Sequence, residues 1–118
     1  MRYLLLINDQ ESMFATMSPQ EMGKMMGDYG KFHEELSASG AFRDAARLRP
    51  VATATTVRVR NGKTLTTDGP FAETKEQLGG YYLIDVKNLD EAIRWAAKIP
   101  SANHGCVEVR PVWEENEQ

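Results

Sequence analysis

Runs of apolar residues predict most strands of this chain. Residues 4–7 are continuously apolar and the chain turns polar at Asn8, which predicts a buried strand that ends near Asn8. Residues 81–86 form a longer aromatic and aliphatic run, which predicts a second strand of this kind. A weaker strand pattern covers residues 42–48, and the last predicted strand covers residues 106–112.

A β-hairpin is predicted between the two halves of the chain. Two β-branched runs, residues 55–60 and 63–67, flank Asn61 and Gly62. This dipeptide favours the positive φ angles of a type I′ turn. Residues 79 and 80 form a second glycine pair, which predicts a bulge or a close approach of two backbones.

A long amphipathic helix is predicted to begin after Ser18. Pro19 occupies the first helical position and Glu21 lies three residues after the cap, which together make a capping box. The helix should end at Gly40. Its apolar stripe contains Met22, Met25, Met26, Tyr29, Phe32, His33 and Leu36.

A second helix is predicted between Asn88, which can cap it, and Pro100, which ends it. The order of elements is then strand, helix, strand, hairpin, strand, helix, strand. This order predicts an α+β fold: a ferredoxin-like split βαβ sheet with an inserted β-hairpin and both helices on one face.

Both faces of the predicted sheet require cover, because residues 4–7 and 81–84 are apolar at successive positions. Two helices can cover one face, so a second protomer is expected on the other and the chain is expected to form a homodimer. Residues 1–113 are predicted to form a single domain, and residues 114–118 a frayed polar tail.

Charge and composition exclude several classes of function. Of the 118 residues, 14 are Lys or Arg and 17 are Asp or Glu, so the net charge of -3 disfavours direct nucleic-acid binding. No apolar run approaches the roughly 20 residues that span a membrane, and a cytoplasmic location is expected. Cys106 is the single cysteine and is interpreted as buried, and neither metal nor cofactor is predicted.

Residues 68–82, which read DGPFAETKEQLGGYY, carry a family resemblance that extends to residues 53–58 and 105–112. The chain resembles the DGPF family of YCII-related proteins. The resemblance implies a dimeric α/β barrel of ferredoxin-like subunits. Some relatives are encoded beside, or fused to, extracytoplasmic-function sigma factors, which implies a sigma factor as a candidate partner.

The resemblance also implies candidates for acid/base chemistry. In the wider YCII group, a His and Asp pair between sheet and helix is proposed to act on small organic substrates. The position of that His falls nearest Tyr29 here, and not on His33. Tyr29 and His33 lie four residues apart, so both can face the sheet. The pattern favours a core histidine with its hydrogen bonds satisfied at position 33, with a role in the pocket as the alternative.

Asp68 has two interpretations. In a Gly-Pro turn its carboxylate can accept backbone hydrogen bonds, and in a cleft it can take or donate a proton. The charged loop favours a solvated surface for Glu73 and Lys75. In the alternative, Lys75 binds a ligand carboxylate that Glu73 orients, with Phe71 beside them. His104, in the turn before the last strand, is interpreted as a surface residue.

Two functions follow from these candidates. The first is a small-molecule-binding protein or acid/base enzyme, with its pocket between the sheet and the first predicted helix and Asp68 as acid or base. The alternative is a non-catalytic sensory or accessory module that contacts another protein, such as a sigma factor.

Overall fold

The computed structural model describes residues 1–116. In chain order its elements are β1 (Arg2–Asp9), α1 (Glu11–Ala15), α2 (Pro19–Ser39), β2 (Phe42–Arg47), β3 (Thr55–Arg60), β4 (Lys63–Asp68), β5 (Gln77–Asp85), α3 (Leu89–Lys98) and β6 (Cys106–Pro111). Two short 3₁₀ helices cover Val51–Thr53 and Pro100–Asn103. Residues 117 and 118, part of the predicted polar tail, lie outside the described residues.

The main sheet has four strands in the order β2-β5-β1-β6, and every neighbouring pair is antiparallel. Helices α2 and α3 each connect one strand of this sheet to another. The arrangement is a mixed α+β fold compatible with the predicted ferredoxin-like plan. No helix within residues 1–116 is long and apolar enough to cross a membrane.

Helix α2 begins and ends where its capping residues predict. Glu21 N donates to Ser18 Oγ at 3.1 Å, and Ser18 N donates to Glu21 Oε1 at 3.3 Å, so the capping box is confirmed. Gly40 closes the helix with φ 82°, a left-handed conformation that glycine adopts without steric cost.

The hairpin is also confirmed, as a separate two-stranded sheet of β3 and β4. Asn61 has φ 53° and Gly62 has φ 75°, as a type I′ turn requires. The side chains from residue 57 to residue 68 are all exposed, so the hairpin projects from the body of the chain. The radius of gyration is 16.5 Å, against about 13–14 Å for a compact chain of this length, as expected for a molecule with a projecting arm.

The core lies between the main sheet and the two long helices. Tyr3, Leu5 and Ile7 alternate along β1 and are buried with residues of β5, α2 and α3. Phe32 meets Tyr82 edge-on, with their ring centroids 5.1 Å apart. The buried stripe of α2 is narrower than predicted, since only Met25, Phe32 and Leu36 are buried.

The opposite face of the sheet is open in the single chain. Its centre is formed by four half-buried residues of the central strands β1 and β5: Leu4, Leu6, Tyr81 and Leu83. Cys106 is exposed, so the prediction that it is buried is wrong. It pairs with Asn8 on the edge strand β6, and the alternation of β1 places both on the open face.

Candidate functional site

A pocket of about 490 Å³ lies between the sheet and helix α2. Its walls come from β1, α1, α2, β2, β5 and the 3₁₀ helix Pro100–Asn103. Most of the lining is apolar and includes Phe14, Met22, Met25, Met26, Leu48 and Pro50. Polar residues of the lining include Asp9, Tyr29, Ser101, Glu11, Arg47 and Gln77. A mainly apolar cavity with a few convergent polar groups is typical of a small-molecule site.

Asp9 and Ser101 form the buried polar part of the pocket wall. Asp9 ends β1 and continues its inward alternation, so its side chain lies on the helix-covered face although it is charged. Ser101 follows Pro100 and is 1% exposed. Its Oγ donates to Asp9 Oδ2 at 2.7 Å, across a separation of 92 residues.

Tyr29 extends this pair into a hydrogen-bonded series of three side chains. Its hydroxyl oxygen lies 2.5 Å from Ser101 Oγ. Burial raises the pKa of Tyr29 above its ordinary value. The phenol therefore stays protonated at neutral pH and can take part in the chain as a hydrogen-bond donor.

The second oxygen of Asp9 faces the start of β6. His104 Nε2 lies 3.3 Å from Asp9 Oδ1, close enough for an ion pair, yet Oδ1 accepts no hydrogen bond from residues 1–116. A Cβ on Gly105 would come within 2.1 Å of Asn8 O and 2.8 Å of Asp9 Oδ1. Glycine at position 105 therefore permits this close approach, and it brings His104 beside the carboxylate.

The glycine pair of β5 shapes the sheet beneath the pocket. The pairing of β1 with β5 passes from Ile7↔Gly80 to Asn8↔Leu78, so Gly79 is the extra residue of a bulge. A Cβ on Gly80 would lie 2.7 Å from Ala46 O, so Gly80 permits close packing of β5 against β2. A bulge and a close approach of two backbones, which the sequence offered as alternatives for this pair, are both present.

Glu11, Gln77 and Arg47 are further polar residues of the pocket wall. Glu11 Oε2 accepts from Val51 N at 2.9 Å, and Gln77 Oε1 accepts from Glu11 N at 2.9 Å. The Glu11 and Gln77 side chains thus help to hold the short helix α1 and the 3₁₀ helix Val51–Thr53 at the pocket. Arg47 is exposed at the end of β2.

The candidates in the DGPF segment lie apart from this pocket. Asp68 is exposed at the end of β4, opposite Thr55, and Phe71 is 82% exposed. Glu73 and Lys75 are exposed as well, and none of these four residues lines the pocket. Their roles in chemistry or ligand binding stay predictions.

The structure separates the two candidates on α2. Tyr29 lines the pocket, whereas His33 is exposed and lies outside the pocket wall. The ring of His33 meets Phe42 edge-on at 4.9 Å between centroids. Of the candidate site residues proposed from the sequence, Tyr29 is therefore the one that the structure brings into the pocket.

Sequence reasoning missed Asp9, Ser101 and the proximity of His104 to Asp9. A signal for Asp9 was present, since it continues the period of Tyr3, Leu5 and Ile7 on the buried face. Ser101 had no such signal, because a serine after a helix-ending proline is ordinary. Within residues 1–116, no group of three or more His, Cys, Asp or Glu side chains is placed to hold a metal ion.

Comparison with known proteins gives one family. The model of the YCII-related domain matches residues 1–116. A curated, uncharacterised protein of Rhizobium meliloti (strain 1021) is 41% identical over 114 residues, which cover 95% of this chain and 92% of the relative.

Proposed function

The chain belongs to the YCII-related family, and we propose that it binds a small organic molecule in the pocket between the sheet and α2. The observation that carries this proposal is the hydrogen-bonded series Tyr29–Ser101–Asp9, with Ser101 and Asp9 buried, in the wall of a mainly apolar cavity. The apolar walls would hold the body of the ligand, and the Tyr29 hydroxyl would contact its polar group.

In the hydrogen-bonded series Tyr29–Ser101–Asp9, each hydroxyl donates its proton toward Asp9. An ionised Asp9 only accepts hydrogen bonds, so the single proton of Ser101 Oγ goes to Asp9 Oδ2. The proton between Tyr29 and Ser101 must then come from Tyr29. The lone pairs of the Tyr29 oxygen are left for a ligand, and a donor group of the ligand can bind there.

The same direction supports acid/base chemistry. When a ligand transfers a proton to the Tyr29 oxygen, the Tyr29 proton passes to Ser101 and the Ser101 proton passes to Asp9. The ligand keeps the electron pair of the broken bond, and the negative charge moves from Asp9 to the ligand. Running the transfer backwards returns the proton, so the three residues would act as a relay with Asp9 as its base.

Methionine methyl groups offer a direct test of binding. The chain has six methionines, of which Met22, Met25 and Met26 line the pocket and Met1, Met13 and Met17 do not. With isotope-labelled methyl groups, titration with phenylacetamide should shift the NMR signals of the first three only. Ser101→Ala should weaken binding about tenfold, and Ser37→Ala on the exposed surface of α2 should not. Unshifted pocket signals would overturn the proposal.

The relay has its own test in deuterium exchange. Phenylacetone carries weakly acidic C–H bonds beside its carbonyl, and the protein should accelerate their exchange with deuterated water. Asp9→Asn and Ser101→Ala should each remove the acceleration, because each interrupts the chain of proton transfers. Exchange at the same rate with and without the protein would overturn the acid/base part of the proposal.

We further propose a homodimer in which two open sheet faces pack together, as in a dimeric α/β barrel. Support comes from Leu4, Leu6, Tyr81 and Leu83, which form a half-buried apolar centre on that face. Glu108 and Arg110 of the edge strand β6 pair with Leu6 and Leu4, so charged side chains flank this centre on one side.

The hairpin favours a second candidate function, an interaction module. One of its faces carries Arg58, Arg60 and Lys63, and Arg60 stands directly opposite Lys63. Like charges in such a pair are destabilising, and none of the three forms an ion pair within residues 1–116. An acidic surface on another protein, such as a sigma factor, would complement this face.

This second candidate is tested with a labelled polyglutamate peptide. The wild-type chain should bind the peptide more tightly than the double variant Arg58→Glu and Arg60→Glu, with a control variant Arg94→Glu on α3 unchanged. Equal binding by all three chains would overturn the candidate, and tighter binding to a single-stranded oligonucleotide than to the peptide would do the same.

A further inference from the structure

Arg47 is the charged residue of the pocket wall that has no partner among residues 1–116. Its guanidinium forms no hydrogen bond and no ion pair with residues 1–116, although it offers five donors. Its backbone is held in place, since Arg47 pairs with Gly80 across the sheet and the next residue, Leu48, donates to Gly79 O at 2.8 Å. The backbone of Arg47 is therefore held in the sheet, while its guanidinium is available to a ligand in the pocket.

Each of the two carboxylates of the pocket wall has a partner within residues 1–116 other than Arg47. Asp9 Oδ2 accepts from Ser101, and Asp9 Oδ1 lies 3.3 Å from His104 Nε2. Glu11 Oε2 accepts from Val51 N. Neither carboxylate forms an ion pair with Arg47. The unpaired charge of the pocket wall is thus the Arg47 cation at the end of β2, and an anionic group on a ligand would neutralise it.

We infer that the ligand carries a single carboxylate on an apolar body, and that Arg47 binds the carboxylate. This inference rests on the proposed binding function of the pocket. A guanidinium matches a carboxylate in two parallel hydrogen bonds, which gives orientation as well as attraction. The methionines and Phe14 then cover the apolar body, and its remaining polar group reaches Tyr29.

The charge balance favours a carboxylate over a phosphate. One guanidinium neutralises one negative charge, whereas a phosphate monoester carries nearly two at neutral pH. Among residues 1–116, Arg47 is the single Lys or Arg that lines the pocket, and Asp9 and Glu11 also line it. The second charge of a phosphate would therefore face carboxylates without a compensating cation.

Matched ligands separate charge from shape. Phenylacetate and phenylacetamide are nearly equal in size, and the methionine methyl signals report the dissociation constant of each. Wild-type protein should bind phenylacetate about fivefold more tightly than phenylacetamide, a preference of the size that a partly exposed ion pair gives. Arg47→Gln should abolish the preference by weakening phenylacetate binding alone.

Arg49→Gln is the matched control, because Arg49 is an exposed arginine two residues further on and does not line the pocket. It should keep the full preference for phenylacetate. Equal binding of the two ligands by the wild type, or a preference that survives Arg47→Gln, would overturn the inference. Tighter binding of phenyl phosphate than of phenylacetate would overturn the choice of a carboxylate.

The failures of the two proposals are distinguishable. If phenylacetamide shifts the pocket methionines but phenylacetate binds no better, the pocket binds small molecules and the role of Arg47 is refuted. If neither compound shifts Met22, Met25 or Met26, the proposed function itself is refuted, and this inference is refuted with it.

Discussion

The hydroxyl oxygens of Tyr29 and Ser101 lie 2.5 Å apart, although 72 positions separate the two residues in the chain. Tyr29 belongs to the middle of α2, and Ser101 belongs to the short 3₁₀ helix after α3. The contact therefore joins the two helical connections of the fold above the end of β1, where Asp9 accepts the Ser101 proton.

Ser101→Ala should destabilise the fold as well as weaken ligand binding. The substitution removes the donor to Asp9 Oδ2 and the acceptor of the Tyr29 proton, both in a buried environment. Leaving buried polar groups unsatisfied costs about 1–3 kcal/mol. Urea unfolding should show a loss of this size, while Ser37→Ala on the exposed face of α2 should change the free energy of unfolding by less than about 0.5 kcal/mol.

Elements with local signals were predictable from the sequence. The capping box of Ser18 and Glu21 and the left-handed Gly40 specify α2 from neighbouring residues. Asn61 and Gly62 specify the hairpin turn in the same way. In each case the determining residues lie within a few positions of each other, so local propensity is sufficient.

The pocket was less predictable, because its polar chain depends on tertiary structure. Asp9 and Ser101 are 92 positions apart in the sequence, so no local sequence pattern predicts their contact. Helix α1, only five residues long, has no clear signal either, since its sequence is mixed and Gln10 gives it no side-chain cap.

Glu114, the first residue of the predicted polar tail, is bound through both oxygens by Arg2 at 3.0 and 2.8 Å.

Adjacent glycines of β5 should respond differently to alanine. In Gly80→Ala the new Cβ would lie 2.7 Å from Ala46 O, and the backbones of β2 and β5 would have to separate. Such overpacking typically costs about 1–3 kcal/mol. Gly79→Ala places its Cβ where nothing lies within 4 Å, so it should unfold at nearly the wild-type urea concentration. Equal effects of the two variants would contradict the close packing.

Replacing Asn61 and Gly62 with two valines should disrupt the hairpin alone. Both positions have positive φ, which β-branched residues adopt at a cost of about 1–3 kcal/mol each. The hairpin forms its own sheet, so the body should remain folded. Hydrogen exchange should accelerate at the amides of β3 and β4 and stay unchanged in β1 and β5. Thr64→Val, which keeps the turn, is the control.

Leu4→Arg should separate the proposed dimer. Leu4 lies at the centre of the open sheet face, where a second copy would bury the introduced charge without a partner. Light scattering should give the mass of two chains for the wild type and about one chain, 13.3 kDa, for the variant. Leu89→Arg changes a leucine that is 48% exposed on α3 and should remain dimeric. A wild-type protein with the mass of one chain would refute the dimer.

Deprotonation of Tyr29 should destabilise the fold at alkaline pH. Burial raises the pKa of Tyr29 above its ordinary value of 10.0, so the unfolded chain loses this proton at a lower pH than the folded chain. The stabilising contribution is complete below about pH 10 and is lost as the pH rises through the folded pKa.

Tyr29→Phe removes the titrating group, so its free energy of unfolding should fall less steeply above pH 10. Part of the slope should remain, because burial also raises the pKa of Tyr82. Equal slopes in the two proteins, measured by urea unfolding at a series of pH values, would show that Tyr29 titrates alike in the folded and unfolded chains.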